Sequence, residues 1–246
     1  MDRYGPETYG EQIADVYDEW HAGMDPAATV EVLASLAGSG PVLELGIGTG
    51  RVAIPLAARG LEVHGIDASP PMVERMRAKP GGERIAVTFG QLADVAVDRS
   101  FSLIFIVFNT FFALLSQDDQ VRCFSNVARR LEPGGCFAME AFVPDVARFD
   151  RGQRVHAINL DVDRVRLDVS LHRPVEQRVD AQHVVITGEG VRLVPVALRY
   201  AWPPELDLMA RLAGLRLRHR WGGWDRAPFD DDSEKHVSVY EKPVSS

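Results

Sequence analysis

The chain is short of cysteine, of basic clusters and of long apolar runs, and each shortage excludes something. Only two cysteines occur in 246 residues. Cys123 sits in an amphipathic segment and Cys136 in an apolar one. They lack metal-ligand spacing, so the reading is two buried thiols in a reducing cytoplasm. No apolar stretch is long enough to cross a bilayer, and the start carries no basic, apolar leader, so no membrane partner is expected. Acidic residues outnumber basic ones by 35 to 27, for a formal charge of −8. The positive charge is mostly arginine and is spread along the chain, which argues against a nucleic-acid footprint. Histidines, cysteines and acids nowhere gather at ligand spacing, so no metal is expected. Repeats and low-complexity tracts are also missing, and no linker is polar enough to separate independent domains. A cytoplasmic chain folding as one domain over 1–246 is expected, acting on a small ligand as monomer or homodimer.

What is present starts at residue 42, where an apolar run, Val42-Leu43-Glu44-Leu45, enters a turn with glycines at 46, 48 and 50. A short helix over 51–59 follows, stopped by Gly60. Upstream, 8–20 reads as one amphipathic helix with Ile13, Val16 and Tyr17 near one face. A second helix opens at Asp25-Pro26 and ends at Gly38, which makes 1–38 a helical lid. Downstream, strands at 61–66, 85–89, 101–108 and 136–142 alternate with helices at 70–79 and 117–131. Apolar strands alternating with helices imply a parallel sheet covered on both faces. From 154 to 200 the pattern changes to period two, with a turn at Gly188-Glu189-Gly190, the signature of an antiparallel insertion. A helix at 204–213 and strands at 215–221 and 235–241 close the chain.

Taken alone, the glycine turn has two readings. Gly48, Gly50 and Ala53 fit the dinucleotide pattern G-x-G-x-x-[GA], with Asp67 near the expected distance. Glu44, Gly46, Gly48 and Gly50 equally fit E-x-G-x-G-x-G. Three further stretches decide between them: Gly65-Ile66-Asp67-Ala68-Ser69-Pro70-Pro71-Met72, Leu131-Glu132-Pro133-Gly134-Gly135, and the two helices ahead of the first strand. In that order they resemble class I S-adenosylmethionine-dependent methyltransferases. The resemblance implies an α/β fold, a seven-stranded Rossmann-like sheet with the antiparallel insertion between strands 5 and 6. Finer likeness, carried by Tyr9 to Asp18, Phe108 to Phe112 and the insertion, is to small-molecule, deoxysugar and peptide N-methyltransferases of specialised metabolism.

The resemblance also implies S-adenosylmethionine as cofactor, and a site. Glu44, Gly46, Gly48 and Gly50 would form the cradle, with Asp67, Ala68 and Met72 beside the ribose. Gln91 and Leu92 stand where the family shows G-D-M, so the adenine amine would meet an amide oxygen without charge assistance. Phe108 and Asn109 follow the fourth strand, where open α/β sheets bind ligands. Tyr9 and Tyr17 would lie over the cofactor. Among groups near the chemistry, Tyr17 and Glu140 are candidates to orient an amine, and His183 is a candidate base, with His21 behind it. Each has a structural alternative: Asn109 in a loop turn, Tyr17 in helix packing, Glu140 as a satisfied acid. Ser69 is the expected cap of the helix at 70, leaving Asp67 free. The acceptor is expected to be an amine on a small molecule or short peptide. A hydroxyl is the next choice; an NAD(P)-dependent oxidoreductase and a non-catalytic adenosine binder are the competing classes.

Overall fold

A computed structural model describes residues 4–244. In chain order the elements are α1 (Thr8–Ile13), α2 (Tyr17–Trp20), α3 (Ala27–Ala37), β1 (Val42–Leu45), α4 (Ala53–Ala58), β2 (Val63–Asp67), α5 (Pro70–Arg77), β3 (Ala86–Phe89), β4 (Phe101–Ile106), α6 (Gln117–Arg130), β5 (Leu131–Phe142), β6 (Gln153–Leu160), β7 (Arg164–Arg173), β8 (Arg178–Thr187), β9 (Gly190–Arg199), α7 (Pro203–Leu212), β10 (Arg216–Trp221) and β11 (Lys235–Glu241). Seven strands form the main sheet in the order β10-β11-β5-β4-β1-β2-β3. β1 to β5 run parallel, while β11 is antiparallel to both of its neighbours. The insertion forms its own antiparallel sheet, β6-β7-β8-β9, between the fifth and sixth strands of the main one.

Apolar residues cover both faces of the central strands, which is why β1 is buried at every position. On one face Leu33 of α3, Leu56 of α4 and Met76 of α5 pack together. On the other, Phe124 of α6 and Leu206 of α7 enclose Phe111, Phe112 and Phe137. α6 starts where the Ser116 hydroxyl accepts the Asp119 amide at 3.0 Å. Acids in its first turn and Arg129 and Arg130 in its last complement the helix dipole. The insertion is anchored at its base by Arg199, whose guanidinium bonds Glu205 at 2.8 Å, Gln177 at 2.9 Å and Gln120 at 2.5 Å. Both cysteines are free and buried.

Three local expectations are corrected. The helix over 8–20 is two short helices, because the chain breaks its repeat between Ile13 and Tyr17. Pro26, not Asp25, occupies the N-cap of α3, although the Asp25 carboxylate still accepts the Ala27 amide at 2.9 Å. β5 is registered from Leu131, with an irregularity between Phe101 and Leu103 of its partner that absorbs the Pro-Gly-Gly stretch.

Candidate cofactor and acceptor site

β1 has β2 on one side and β4 on the other, so the connections leave it in opposite directions and a crevice opens at its carboxyl end. The glycine turn fills that position. Gly46, Gly48 and Gly50 have φ of +77°, +54° and +78°, backbone that side chains disfavour. A Cβ on Gly46 would lie 2.5 Å from Thr110 Cγ2. Ile66 O accepts the Gly46 and Ile47 amides at 2.8 and 3.1 Å, tying the turn to β2.

At the end of β2, Asp67 is not free. Its Oδ2 accepts the Gly48 amide at 2.7 Å and its Oδ1 accepts the Ser69 amide at 2.8 Å. Ser69 occupies the cap of α5 without a side-chain bond, and its buried hydroxyl has no partner. The expected division of labour is therefore reversed, with Asp67 organising both the glycine turn and the start of α5. Burial pushes its carboxyl above the usual range, and the three amides of Ser69, Gly48 and Ala68 pull the other way. An ionised carboxylate has about four acceptor directions, so at least one remains for a hydroxyl.

Glu44 and Arg51 present complementary unfilled groups in one cleft. Glu44 is 3% exposed, and its Oε2 is buried without a partner. Burial pushes its carboxyl well above the ordinary range; Arg51 opposes this and Asp67 adds to it. The Arg51 guanidinium lies 4.8 Å over the Phe108 ring, and its Nε is buried and unpartnered. An acceptor for an ammonium beside a donor for a carboxylate is the donor set an amino-acid zwitterion needs. Sequence reasoning missed Arg51; its signal was its position directly after the third glycine.

Phe108 and Asn109 both adopt positive φ, +57° and +63°. Two such side chains in succession cost of order 1–3 kcal/mol each and persist only when held. β5 holds them. Glu140 Oε2 accepts the Phe108 amide at 3.1 Å, Glu140 O accepts the Asn109 amide at 3.2 Å, and Asn109 Oδ1 accepts the Phe142 amide at 2.7 Å. The other Glu140 oxygen faces Lys235 Nζ at 3.5 Å. Glu140 thus braces the turn that presents Phe108, and Asn109 spends its oxygen on the backbone.

Tyr17 lines the same cleft as Glu44, Gly46, Gly48 and Phe108. Burial raises its phenol pKa, with Arg51 opposing. His21, ranked low from the sequence, lies tilted against Tyr17 with ring centroids 4.3 Å apart and meets Phe108 edge-on at 5.3 Å. Its Nδ1 bonds Tyr17 O at 2.7 Å, and burial lowers its pKa. A proton on Nδ1 leaves the Nε2 lone pair free. Thr49, inside the glycine turn, donates to Asp18 at 2.7 Å; Lys79 pairs with Asp18 at 2.7 Å and donates to Thr49 O at 2.9 Å. That triad fastens α2 to the turn. Tyr9 sits near Tyr17 and Arg166, and burial raises its pKa. Met72 lies beneath Gly48, its Cε 3.3 Å from where a Cβ would be.

Other residues lie elsewhere. Gln91 is exposed past β3, and Leu92 packs against the α6 side of the core. Neither lines the cleft. His183, on β8, pairs with Asp168 at 3.4 Å and faces Trp20 at 6.4 Å, and it is not among the residues that line the cleft.

Comparison with known proteins gives these features a context. Residues 42–135 match the family model described as a methyltransferase domain. The structure of the CcbJ methyltransferase from Streptomyces caelestis is 43% identical, covers 98% of this chain and 100% of that one, and superposes with a TM-score of 0.91. A cypemycin N-terminal methyltransferase from Streptomyces sp is 26% identical over 96% of this chain and 98% of its own. CalS10, an amino pentose methyltransferase from Micromonospora echinaspora solved with S-adenosylmethionine bound, shares the fold at a TM-score of 0.66, with 18% identity and 91% of each chain covered.

Proposed function

Because the chain belongs to the class I S-adenosylmethionine-dependent methyltransferases, we propose that it methylates an amine on a small molecule or short peptide. S-adenosylmethionine supplies an electrophilic methyl group on a sulfonium, and the transfer is an in-line displacement. The residues present fit that cofactor. Glu44 Oε2 would take the ammonium, Arg51 the carboxylate, and the remaining acceptor capacity of Asp67 a ribose hydroxyl. The chain's own task is then to hold the acceptor in near-attack geometry and exclude water.

One observation carries the amine. The two candidate orienting groups are poor bases for a hydroxyl: the Tyr17 phenol is pushed up by burial, and both Glu140 oxygens are engaged. An unprotonated amine brings its own lone pair and sheds its proton only after transfer. His21, kept neutral by burial, would receive that proton. The names of two relatives, an N-terminal methyltransferase and an amino pentose methyltransferase, support the same class. A hydroxyl acceptor is the second reading, favoured by the same neutral His21. An S-adenosylhomocysteine-release assay with amino sugars, peptide amino termini and phenols tests the choice. Turnover confined to phenols overturns the amine.

A further inference from the structure

The face of the insertion sheet that is turned toward the lid carries three arginines, and the lid neutralises two of them. Arg192 pairs with Asp15 at 2.6 Å and Arg164 with Glu19 at 2.9 Å. Arg166 shares a row with Val185 and Arg192 and follows Arg164 by two residues on β7, so it stands on the same face. Among the described residues no carboxylate pairs with it, and its buried Nε meets no hydrogen-bond partner. Asp168, two residues further along, is engaged by His183 at 3.4 Å and by the Ser170 hydroxyl. A guanidinium that loses water without gaining a carboxylate is costly, and an anion would offset that cost. The place of Arg166 gives the anion a use. Its guanidinium rests 4.8 Å over the Trp20 ring. The next residue, His21, meets Phe108 at 5.3 Å, and Phe108 lines the cofactor cleft. Burial lowers the His21 pKa and Arg166 adds to this; burial raises that of Tyr9 and Arg166 opposes it.

We propose that the methyl acceptor carries an acidic group, a carboxylate or a phosphate, apart from its nucleophile, and that Arg166 is the residue that selects it. The proposal rests on the amine reading only for the nucleophile; the acid is recognised separately. An acceptor with both groups would span from His21, which takes the proton, to Arg166. The guanidinium fork matches the two oxygens of either oxyanion, a fit that a lone ammonium lacks. Trp20 beneath it fixes the plane of that fork and keeps water from one side, where a charged hydrogen bond gains strength. The chain as a whole has a formal charge of −8, so its field disfavours anions. A cation left unneutralised beside the cleft reverses that field where an acidic acceptor would enter.

S-adenosylhomocysteine release from the full chain, measured with paired acceptors, tests this. One pair is an amidated tripeptide with glutamate or glutamine in second place. Another is an amino sugar with and without a phosphate, and a third is a hydroxybenzoate beside its amide. Each pair shares a nucleophile and differs in the acid, so the ratio of kcat/KM within a pair reads the anion and comparison across pairs reads the nucleophile. The acidic member should be favoured roughly 10- to 100-fold, mainly through KM. Arg166→Gln should bring the ratio close to one, and Arg166→Lys should keep part of it. A variant that merely loosens the lid slows both members alike and leaves the ratio standing. A wild-type ratio near one, or a preference that survives Arg166→Gln, overturns the proposal. Turnover confined to the phenol pair, with an acid preference that Arg166→Gln removes, overturns the amine and upholds the anion. If no pair turns over, calorimetry of inorganic phosphate with the S-adenosylhomocysteine complex decides. Millimolar binding that Arg166→Gln loses supports the site, and binding that is equal in both proteins or absent from both overturns it.

Discussion

Glu44 and Glu140 are both carboxylates at strand ends, and their neighbours give them different tasks. Glu140 has its oxygens turned to the Phe108 amide and to Lys235, so its task is to hold a strained turn. Glu140→Gln keeps an acceptor for that amide and should retain most of the turnover. Glu140→Ala leaves the amide unmet, a loss of ~1–3 kcal/mol, and kcat should fall by one to two orders of magnitude. Equal collapse of both variants would instead identify Glu140 as a base. Glu44 has an oxygen with nothing to bind. Its raised pKa means that its stabilising contribution is complete below the unfolded value and is lost as pH rises through the folded one. Burial therefore penalises the charged form of Glu44 in the ligand-free protein. Glu44→Gln should raise the melting temperature of the ligand-free protein and weaken S-adenosylhomocysteine binding roughly 10- to 100-fold, for the loss of about 1.5–3 kcal/mol. Calorimetry checks both signs, and a variant neither more stable nor weaker in binding would remove Glu44 from the cofactor's ammonium.

At the scale of elements, what could be read in the sequence was what local pattern and short range determine. The glycine turn, the alternation of strands and helices and the period-two insertion all follow from spacing, and the strands and the later helices lie within a few residues of expectation. Contacts between distant segments were not legible. Nothing in 8–20 shows that Asp18 will meet Thr49 and Lys79, or that His21 will reach Phe108. Gln91 matched a family position in sequence but stands exposed, because a loop's direction is set by what packs on it. The α2 latch carries a prediction of its own. Asp18 and Lys79 are both more than a third exposed, so screening limits the ion pair, and with the Thr49 bond the triad is worth about 1 kcal/mol. Asp18→Ala should raise the cofactor dissociation constant several-fold, mainly through faster release, while deletion of 1–20 should abolish turnover and leave the parallel sheet folded. Stopped-flow binding and circular dichroism separate these outcomes. A truncated chain that turns over at the full rate would show that the helices do not close the site.

For the whole molecule, the response to acid depends on where buried groups sit in the sheet. His236 lies on β11 opposite Ala141 of β5, fully buried. Its Nδ1 meets the Ser238 hydroxyl at 2.8 Å, and its Nε2 has no partner. Burial pushes the imidazole down to about 4; Arg220 adds to this and Asp207 opposes it. The unfolded chain takes up the proton near 6.5, so as pH falls the unfolded state is protonated first. The stability linked to His236 is therefore complete above pH 6.5 and is lost progressively toward pH 4, by about 3 kcal/mol in all. Glu44 works against it, since neutralising a buried carboxyl favours the fold as pH falls. The wild-type curve alone mixes the two. The difference between wild type and His236→Leu cancels Glu44, because both chains share it. Urea unfolding of the two at pH 7 and pH 4.5 should show wild type losing stability relative to the variant by an amount approaching that total. A difference that stays constant across the interval would mean that His236 is not held neutral by its burial in the sheet.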